Sequence, residues 1–225
     1  MIKLVLFDID GTLIYTCGAG QHAFGRVFTA EFGVANAAER VSFAGRTDPA
    51  IVREVFLQHD IDPVAENFQR FWSNYVFWLD HFLTQLPGRV HGGVWELLHD
   101  LRRLSMPPVI GLLTGNIRLG AEIKLRRFDL WDEFVMGGFG DDDENRNHIA
   151  AIAQRRGVAM LGKKLRGEEI LVIGDTPLDI QCARAIEAKV LAVATGGSTL
   201  EQLQCHQPDW AVASLEEVTA REICG

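Results

Sequence analysis

Short apolar runs alternate along the chain with segments that have the periodicity of amphipathic helices. Four runs predict strands buried on both faces of a parallel sheet: Ile2–Phe7, Val109–Leu113, Ile170–Ile173 and Val190–Ala194. Helices are predicted at Val94–Leu104, Ile117–Phe128, Arg146–Arg156 and Leu178–Glu187. Strands and helices that alternate in this way predict an α/β fold with a doubly wound parallel sheet.

The alternation is interrupted between about residues 18 and 86, where only helical periodicity occurs. Three sets of apolar residues follow the spacing of a helix face: Phe24, Val27, Phe28 and Phe32; Ile51, Val52, Val55 and Phe56; and Phe68, Phe71, Trp72, Tyr75, Leu79 and Phe82. We therefore predict an all-helical cap at residues 16–87, inserted into an α/β core of residues 1–15 and 88–225. The aromatic residues are expected to form the cap's own hydrophobic core.

Composition and charge narrow the possible partners. The 225 residues are 48% apolar and 23% charged, which is ordinary for a globular protein, and the formal net charge is −8. Nonspecific binding to nucleic acid or to an anionic membrane requires a basic surface, so neither partner is expected. A phosphate-bearing substrate would have to be attracted by a local cation.

Cysteine content and N-terminal pattern bear on the compartment. The four cysteines are too few and too scattered for a disulfide framework. The N-terminal residues do not have the pattern of a signal peptide, and no segment reaches the ~20 apolar residues of a membrane helix. We expect a cytoplasmic protein, either a monomer or a homodimer.

Two aspartates follow directly after the first predicted strand. Asp8 and Asp10 stand one residue apart in the segment Asp8-Ile9-Asp10-Gly11-Thr12 and would repel each other without a cation. The pair could simply begin a turn at Gly11. A carboxylate pair at the end of a buried strand is costly without neutralisation, however, so the pattern favours a metal site.

Two other predicted strands also end in polar residues. Asp175 follows the strand Ile170–Ile173 and Asp179 lies one helical turn further on, where it could also serve as a helix cap. Only hard oxygen ligands are offered, which suits Mg²⁺ better than zinc. The strand Val109–Leu113 ends in Thr114-Gly115-Asn116, a pattern that predicts either an anion site or a simple helix cap.

Taken in order, these strand-end motifs resemble the signature of the haloacid dehalogenase (HAD) superfamily. The resemblance implies a phosphatase in which Asp8 is the nucleophile and Asp10 the general acid and base. It implies Mg²⁺ held by Asp8, the backbone carbonyl of Asp10, Asp175 and Asp179. Thr114, with Gly115 and Asn116, would hold the transferred phosphoryl group, and the helical insertion would be a mobile cap.

The basic residue of this signature departs from the family pattern, which usually has a lysine before the last motif. Arg146, at the start of a predicted helix, is the expected substitute and would neutralise the nucleophile and the phosphate. Lys163 and Lys164 are the alternatives, but their polar, glycine-flanked segment predicts an exposed loop.

The expected substrate is a small phosphorylated metabolite. Gly45-Arg46-Thr47-Asp48 resembles a stretch of phosphoglycolate-phosphatase-like members, which implies that Arg46 binds a substrate carboxylate or second phosphate; a surface arginine is the alternative. Two other functions stay open. One is a sugar phosphomutase resembling β-phosphoglucomutase, and the other is a non-catalytic interaction protein, which intact Asp8, Asp10, Thr114 and Asp175 disfavour.

Overall fold

The core of the molecule is a six-stranded parallel sheet with the strand order β5-β4-β1-β6-β7-β8. The computed structural model describes the whole chain, Met1–Gly225. Its strands are β1 Leu4–Phe7, β2 Ile14–Tyr15, β3 Arg89–Val90, β4 Val109–Leu113, β5 Gly137–Gly138, β6 Ile170–Gly174, β7 Lys189–Val193 and β8 Trp210–Val212. The predicted α/β class with a parallel sheet is confirmed.

Helices cover both faces of this sheet. They are α1 Ala19–Phe32, α2 Asp48–Gln58, α3 Ala65–Gln85, α4 Val94–Arg102, α5 Arg118–Arg126, α6 Arg146–Leu161, α7 Pro177–Ala185, α8 Leu200–Gln204 and α9 Ala220–Cys224. One hydrophobic cluster joins Val5 and Phe7 of β1 to α4, α5 and α9. The other joins Leu4 and Leu6 of β1 to α6 and α7. Because successive residues of β1 enter opposite clusters, the sheet is doubly wound, as predicted.

The four predicted strands are present, but the pattern missed short ones. β5 consists only of Gly137 and Gly138, so it has no apolar run to detect. The first predicted strand begins at Leu4 rather than Ile2.

Helices α1, α2 and α3 lie between β2 and β3 in the sequence, and they form a separate hydrophobic cluster. Its centre is aromatic: the rings of Phe28 and Phe71 lie 4.9 Å apart, and those of Phe28 and Phe56 lie 5.6 Å apart. The aromatic stripe is therefore buried within the helical segment itself. None of the helices is both long enough and apolar enough to cross a bilayer.

The chain crosses between the helical segment and the sheet through a small antiparallel pair. Ile14 of β2 is opposite Val90 of β3, and Tyr15 is opposite Arg89. These strands coincide with the predicted ends of the cap, whose boundaries at residues 16 and 87 stay a prediction. We keep the name cap for residues 16–87.

Candidate active site

Three neighbouring strands deliver the predicted site residues to one edge of the sheet. β1 pairs in parallel with β4 on one side and with β6 on the other. Asp8 follows β1, Thr114 follows β4, and Asp175 follows β6. Because the carboxyl ends of parallel strands share an edge, these side chains meet at the place where α/β folds bind ligands.

Three buried carboxylates form the centre of this edge. One oxygen each of Asp8, Asp175 and Asp179 lies within 4.8 Å of the others. Burial raises the pKa of Asp8 from 3.8 to about 6, against the opposing effect of Arg146. Burial, with repulsion from Asp179 and Asp8, raises the pKa of Asp175 to about 8. The cluster is short of positive charge, and its oxygen ligands fit a hard divalent cation such as Mg²⁺.

Asp175 is held tightly from several sides. The Thr12 hydroxyl donates to its Oδ1 at 3.1 Å. A Cβ at Gly11 would lie 2.4 Å from Asp175 Oδ2, and a Cβ at Gly196 would lie 1.7 Å from the same atom. Gly11 also has a φ of 84°, which favours glycine. The close approach explains the glycine and threonine that follow the aspartate pair, whereas Gly196 had no signal in the sequence.

Asp179 is inside the cluster, but both of its oxygens are engaged by the protein. Its Oδ2 accepts hydrogen bonds from the Thr176 amide at 3.0 Å and from the Thr176 hydroxyl at 2.7 Å. Its Oδ1 accepts from Arg146. The predicted role of Asp179 as a metal ligand would therefore compete with its hydrogen bonds from Thr176 and Arg146.

Arg146 is the buried cation that contacts the cluster. It is the first residue of α6, and its Nη2 lies 3.0 Å from Asp8 Oδ1. Its Nη1 donates to the carbonyl of Gly45 at 2.9 Å, which joins the cap to the core. Lys163 and Lys164 are exposed beyond the other end of α6, a helix of 16 residues and thus roughly 24 Å long. Of the candidate basic residues, only Arg146 lies against Asp8.

Asp10 belongs to a second network, whose cation the sequence analysis missed. Lys124 Nζ donates to Asp10 Oδ2 at 2.6 Å and to Asn116 Oδ1 at 2.6 Å. Asn116 Nδ2 donates to the same Asp10 oxygen at 2.8 Å and to Thr114 Oγ1 at 2.9 Å. The only available signal was a lysine among the buried positions Gly120, Ala121 and Leu125 of α5, where periodicity favours an apolar residue.

The start of α2 and the cap loop before it pack directly on the Thr114-Gly115-Asn116 turn. The Asp48 amide donates to the Gly115 carbonyl at 2.8 Å, and the Ile117 amide donates to Asp48 Oδ2 at 2.9 Å. Burial raises the pKa of Asp48 to about 6, and Lys124 opposes this rise. Arg46, in the same loop, forms an ion pair with Glu54 at 2.5 Å. The guanidinium predicted to bind an anion is thus already paired within the cap.

The two networks line one cavity of about 420 Å³ between core and cap. Asp8, Asp10 and Thr114 lie on its core side, and Gln21 and Tyr75 lie on its cap side. Gly115, Asn116, Arg46, Arg146 and Asp175 also line it. The volume suits a small metabolite.

A sequence model described as haloacid dehalogenase-like hydrolase matches residues 5–193 of the chain. The chain belongs to the haloacid dehalogenase-like hydrolase family. The matched range contains every predicted site residue, so the resemblance seen in the motifs is confirmed at the level of the family.

Two phosphoglycolate phosphatases are similar to this chain in sequence. A phosphoglycolate phosphatase of Pectobacterium atrosepticum is 26% identical over 215 residues, which cover 92% of this chain and 87% of the relative. A second phosphoglycolate phosphatase, from Photorhabdus laumondii, is 24% identical over 96% of this chain and 91% of its own length. The prediction that this HAD family member is a phosphatase is confirmed.

The fold is shared with proteins of known structure. CbbY from Rhodobacter sphaeroides, solved with phosphate, superposes with a TM-score of 0.74 at 18% identity, over 96% of both chains. A β-phosphoglucomutase candidate from Bacteroides vulgatus has a TM-score of 0.70 at 21% identity, over 95% of this chain and 84% of its own. At these identities the structures establish the fold alone.

Proposed function

We propose that this HAD phosphatase hydrolyses a small phosphorylated metabolite by Mg²⁺-dependent transfer of the phosphoryl group to Asp8. The observation that carries the proposal is the position of Asp8, which lines the cavity beside Arg146 and belongs to the carboxylate cluster. A nucleophilic carboxylate needs nearby cations so that it can approach an anionic phosphate.

Asp8 and Asp175 would hold the metal, together with the backbone carbonyl of Asp10. When bound, Mg²⁺ would neutralise the carboxylates and the charge of the phosphoryl oxygens. Asp179 would contribute mainly by orienting Arg146, since both of its oxygens are engaged. Arg146 and Thr114 would bind the transferring oxygens, with Gly115 and Asn116 at the same turn.

The reaction takes place in two steps, which are transfer of the phosphoryl group to Asp8 and hydrolysis of the intermediate. An Asp8 oxygen attacks phosphorus, the bond to the ester oxygen breaks, and that oxygen takes a proton from Asp10. Asp10 then removes a proton from a water molecule whose oxygen attacks phosphorus. The phosphorus–oxygen bond to Asp8 breaks, which releases inorganic phosphate and restores the carboxylate of Asp8.

The named relatives favour phosphoglycolate, whose carboxylate would need a cation in the cap. Arg46 lines the cavity and can serve only if the anion displaces Glu54 from its 2.5 Å ion pair. A panel with phosphoglycolate, hexose phosphates, nucleotides and pyrophosphate tests this directly, and Arg46→Ala should raise KM for acidic substrates only.

The nucleophile is tested with Asp8→Asn, assayed on 4-nitrophenyl phosphate with Mg²⁺. Turnover should fall by about 10³-fold or more while the circular dichroism spectrum stays unchanged. EDTA should abolish wild-type activity and Mg²⁺ should restore it. Substantial activity in Asp8→Asn would exclude the aspartyl-phosphate mechanism.

Sugar phosphomutase is the second possible activity, because the β-phosphoglucomutase candidate from Bacteroides vulgatus shares the fold. The two activities differ in the acceptor, which is water for a phosphatase and a sugar hydroxyl for a mutase. Steady release of inorganic phosphate from a monophosphate, without a bisphosphate activator, identifies the phosphatase. Turnover that depends on a hexose bisphosphate would identify the mutase.

A further inference from the structure

Lys124 is a buried lysine at the boundary between core and cap. Its side chain is 5% exposed, whereas that of its ion-pair partner Asp10 is 41% exposed. A Cβ placed on Gly20 of α1 would lie 3.5 Å from Lys124 Nζ and 3.5 Å from the Tyr75 hydroxyl. The ammonium group thus lies against both the cap and the wall of the cavity.

Stability alone does not explain a lysine at this position. Burying an ammonium group costs solvation free energy, and replacing a buried ion pair with apolar residues is often neutral or stabilising. Asp10, which faces the cavity, would remain solvated without a partner. The position on α5 is one that periodicity assigns to an apolar side chain, so the charge points to a role at Asp10.

The hydrogen bonds of Lys124 fix the orientation of two side chains. Its bond to Asn116 Oδ1 places the Asn116 amide nitrogen toward Asp10 and Thr114. Asp10 Oδ2 then receives donors from both Lys124 and Asn116. Asp10 Oδ1 accepts no hydrogen bond from the protein, so it is the oxygen left to exchange protons with a ligand in the cavity.

We propose that Lys124 is a positioning residue that orients Asp10 for proton transfer and, through Asn116, sets Asp10 in register with Thr114. This inference rests on the proposed function, in which Asp10 protonates the leaving oxygen. It adds a residue from α5, which lies outside the motifs identified in the sequence, and it predicts a specific kinetic consequence.

The test compares 4-nitrophenyl phosphate with 4-nitrobenzyl phosphate. The two esters have similar shapes, but nitrophenolate leaves readily without a proton, whereas the benzylic alkoxide requires one. Because kcat/KM reports the steps up to departure of the leaving group, a misplaced acid should lower kcat/KM selectively for the nitrobenzyl ester.

Lys124→Met should lower kcat/KM for 4-nitrobenzyl phosphate at least about tenfold more than for 4-nitrophenyl phosphate. Asp10→Asn should likewise lose more kcat/KM on the nitrobenzyl ester than on the nitrophenyl ester. In the double variant this difference should be no larger than in Asp10→Asn alone. Lys163→Met, on the exposed turn after α6, should leave kcat/KM unchanged for both esters. Lys124→Arg, which keeps the charge and the donors, should recover part of the kcat/KM that Lys124→Met loses on 4-nitrobenzyl phosphate. If Lys124→Met does not fold, Lys124→Gln takes its place.

Equal losses for the two esters in folded Lys124 variants would overturn the inference, since they would indicate a structural role only. If Asp10→Asn is itself unselective, the assignment of Asp10 fails, and the inference that rests on it fails as well. If Asp10→Asn is selective and the Lys124 variants are not, the inference alone fails and the proposed function stands.

Discussion

Replacement of Arg146 with methionine probes the electrostatics of the whole site. The change keeps a long side chain but removes the guanidinium that contacts Asp8 at 3.0 Å and also binds Asp179. Three buried carboxylates then remain close together without their arginine. Removing one partner of a buried ion pair costs about 3–5 kcal/mol, a large share of the roughly 5–15 kcal/mol that stabilises a typical domain.

The cost should be visible as a lower melting temperature. For a protein of this size, 1 kcal/mol corresponds to roughly 2–4 °C, so Arg146→Met should lower Tm by about 6–20 °C. The deficit should be largest near pH 8 and smaller near pH 5. At pH 5 the carboxyls of Asp8 and Asp175, whose pKa values are already raised to about 6 and about 8, hold protons and need the cation less.

Calorimetry in EDTA at both pH values measures this effect, and Lys163→Met is the matched control. The control lysine is exposed, so its replacement should shift the free energy of unfolding by no more than about 0.5 kcal/mol. Arg146→Met should also lower kcat by about 10²–10³-fold, as expected for the loss of one donor to a developing charge. Equal Tm values for the two variants, or a larger loss of activity in Lys163→Met, would refute the assignment of Arg146.

Two further predictions concern the metal. The raised pKa values of Asp8 and Asp175 mean that the metal-free folded protein binds more protons than the unfolded chain between about pH 4 and pH 8, so its stability should fall as pH rises. The Tm increase caused by Mg²⁺ should therefore be greater at pH 8 than at pH 5, and a pH-independent increase would contradict this. Gly196→Ala should raise the Mg²⁺ concentration needed for half-maximal activity by about tenfold or more, because its Cβ would lie 1.7 Å from Asp175 Oδ2. Gly197→Ala, with nothing within 4 Å of its Cβ, is the control and should behave as wild type.

Much of the core could be predicted because its signals are local. Asp8, Thr114 and Asp175 each follow an apolar run, and parallel strands bring such positions to one edge whatever the details of packing. The short strands carried no comparable signal: β5 is a pair of glycines that becomes a strand only because Leu112 and Leu113 of β4 lie beside it. Strand β5 therefore depends on tertiary contacts and could not be predicted from the local sequence pattern.

Contacts between distant residues limited the prediction of the site in the same way. Asp179 has the spacing of a metal ligand, yet its oxygens are engaged by Thr176 and by Arg146, which is 33 residues away. Arg46 has the charge to bind an anion, but Glu54 of α2 already pairs with it. The sequence identifies which chemical groups are available, and the neighbours determine which of them remain free to act.

The position of the Lys124 ammonium group could not be predicted from the sequence pattern alone. A lysine on the apolar face of a predicted helix is ambiguous, because its flexible chain can carry the charge out to solvent while the methylene groups stay buried. Here the ammonium group stays inside, 2.6 Å from an Asp10 oxygen that is 114 residues away in sequence. No periodicity could have indicated that partner. The buried charge is accounted for only by the acid it contacts. The orientation of Asp10, which we propose as the general acid, therefore depends on one helix and two strand ends rather than on one motif.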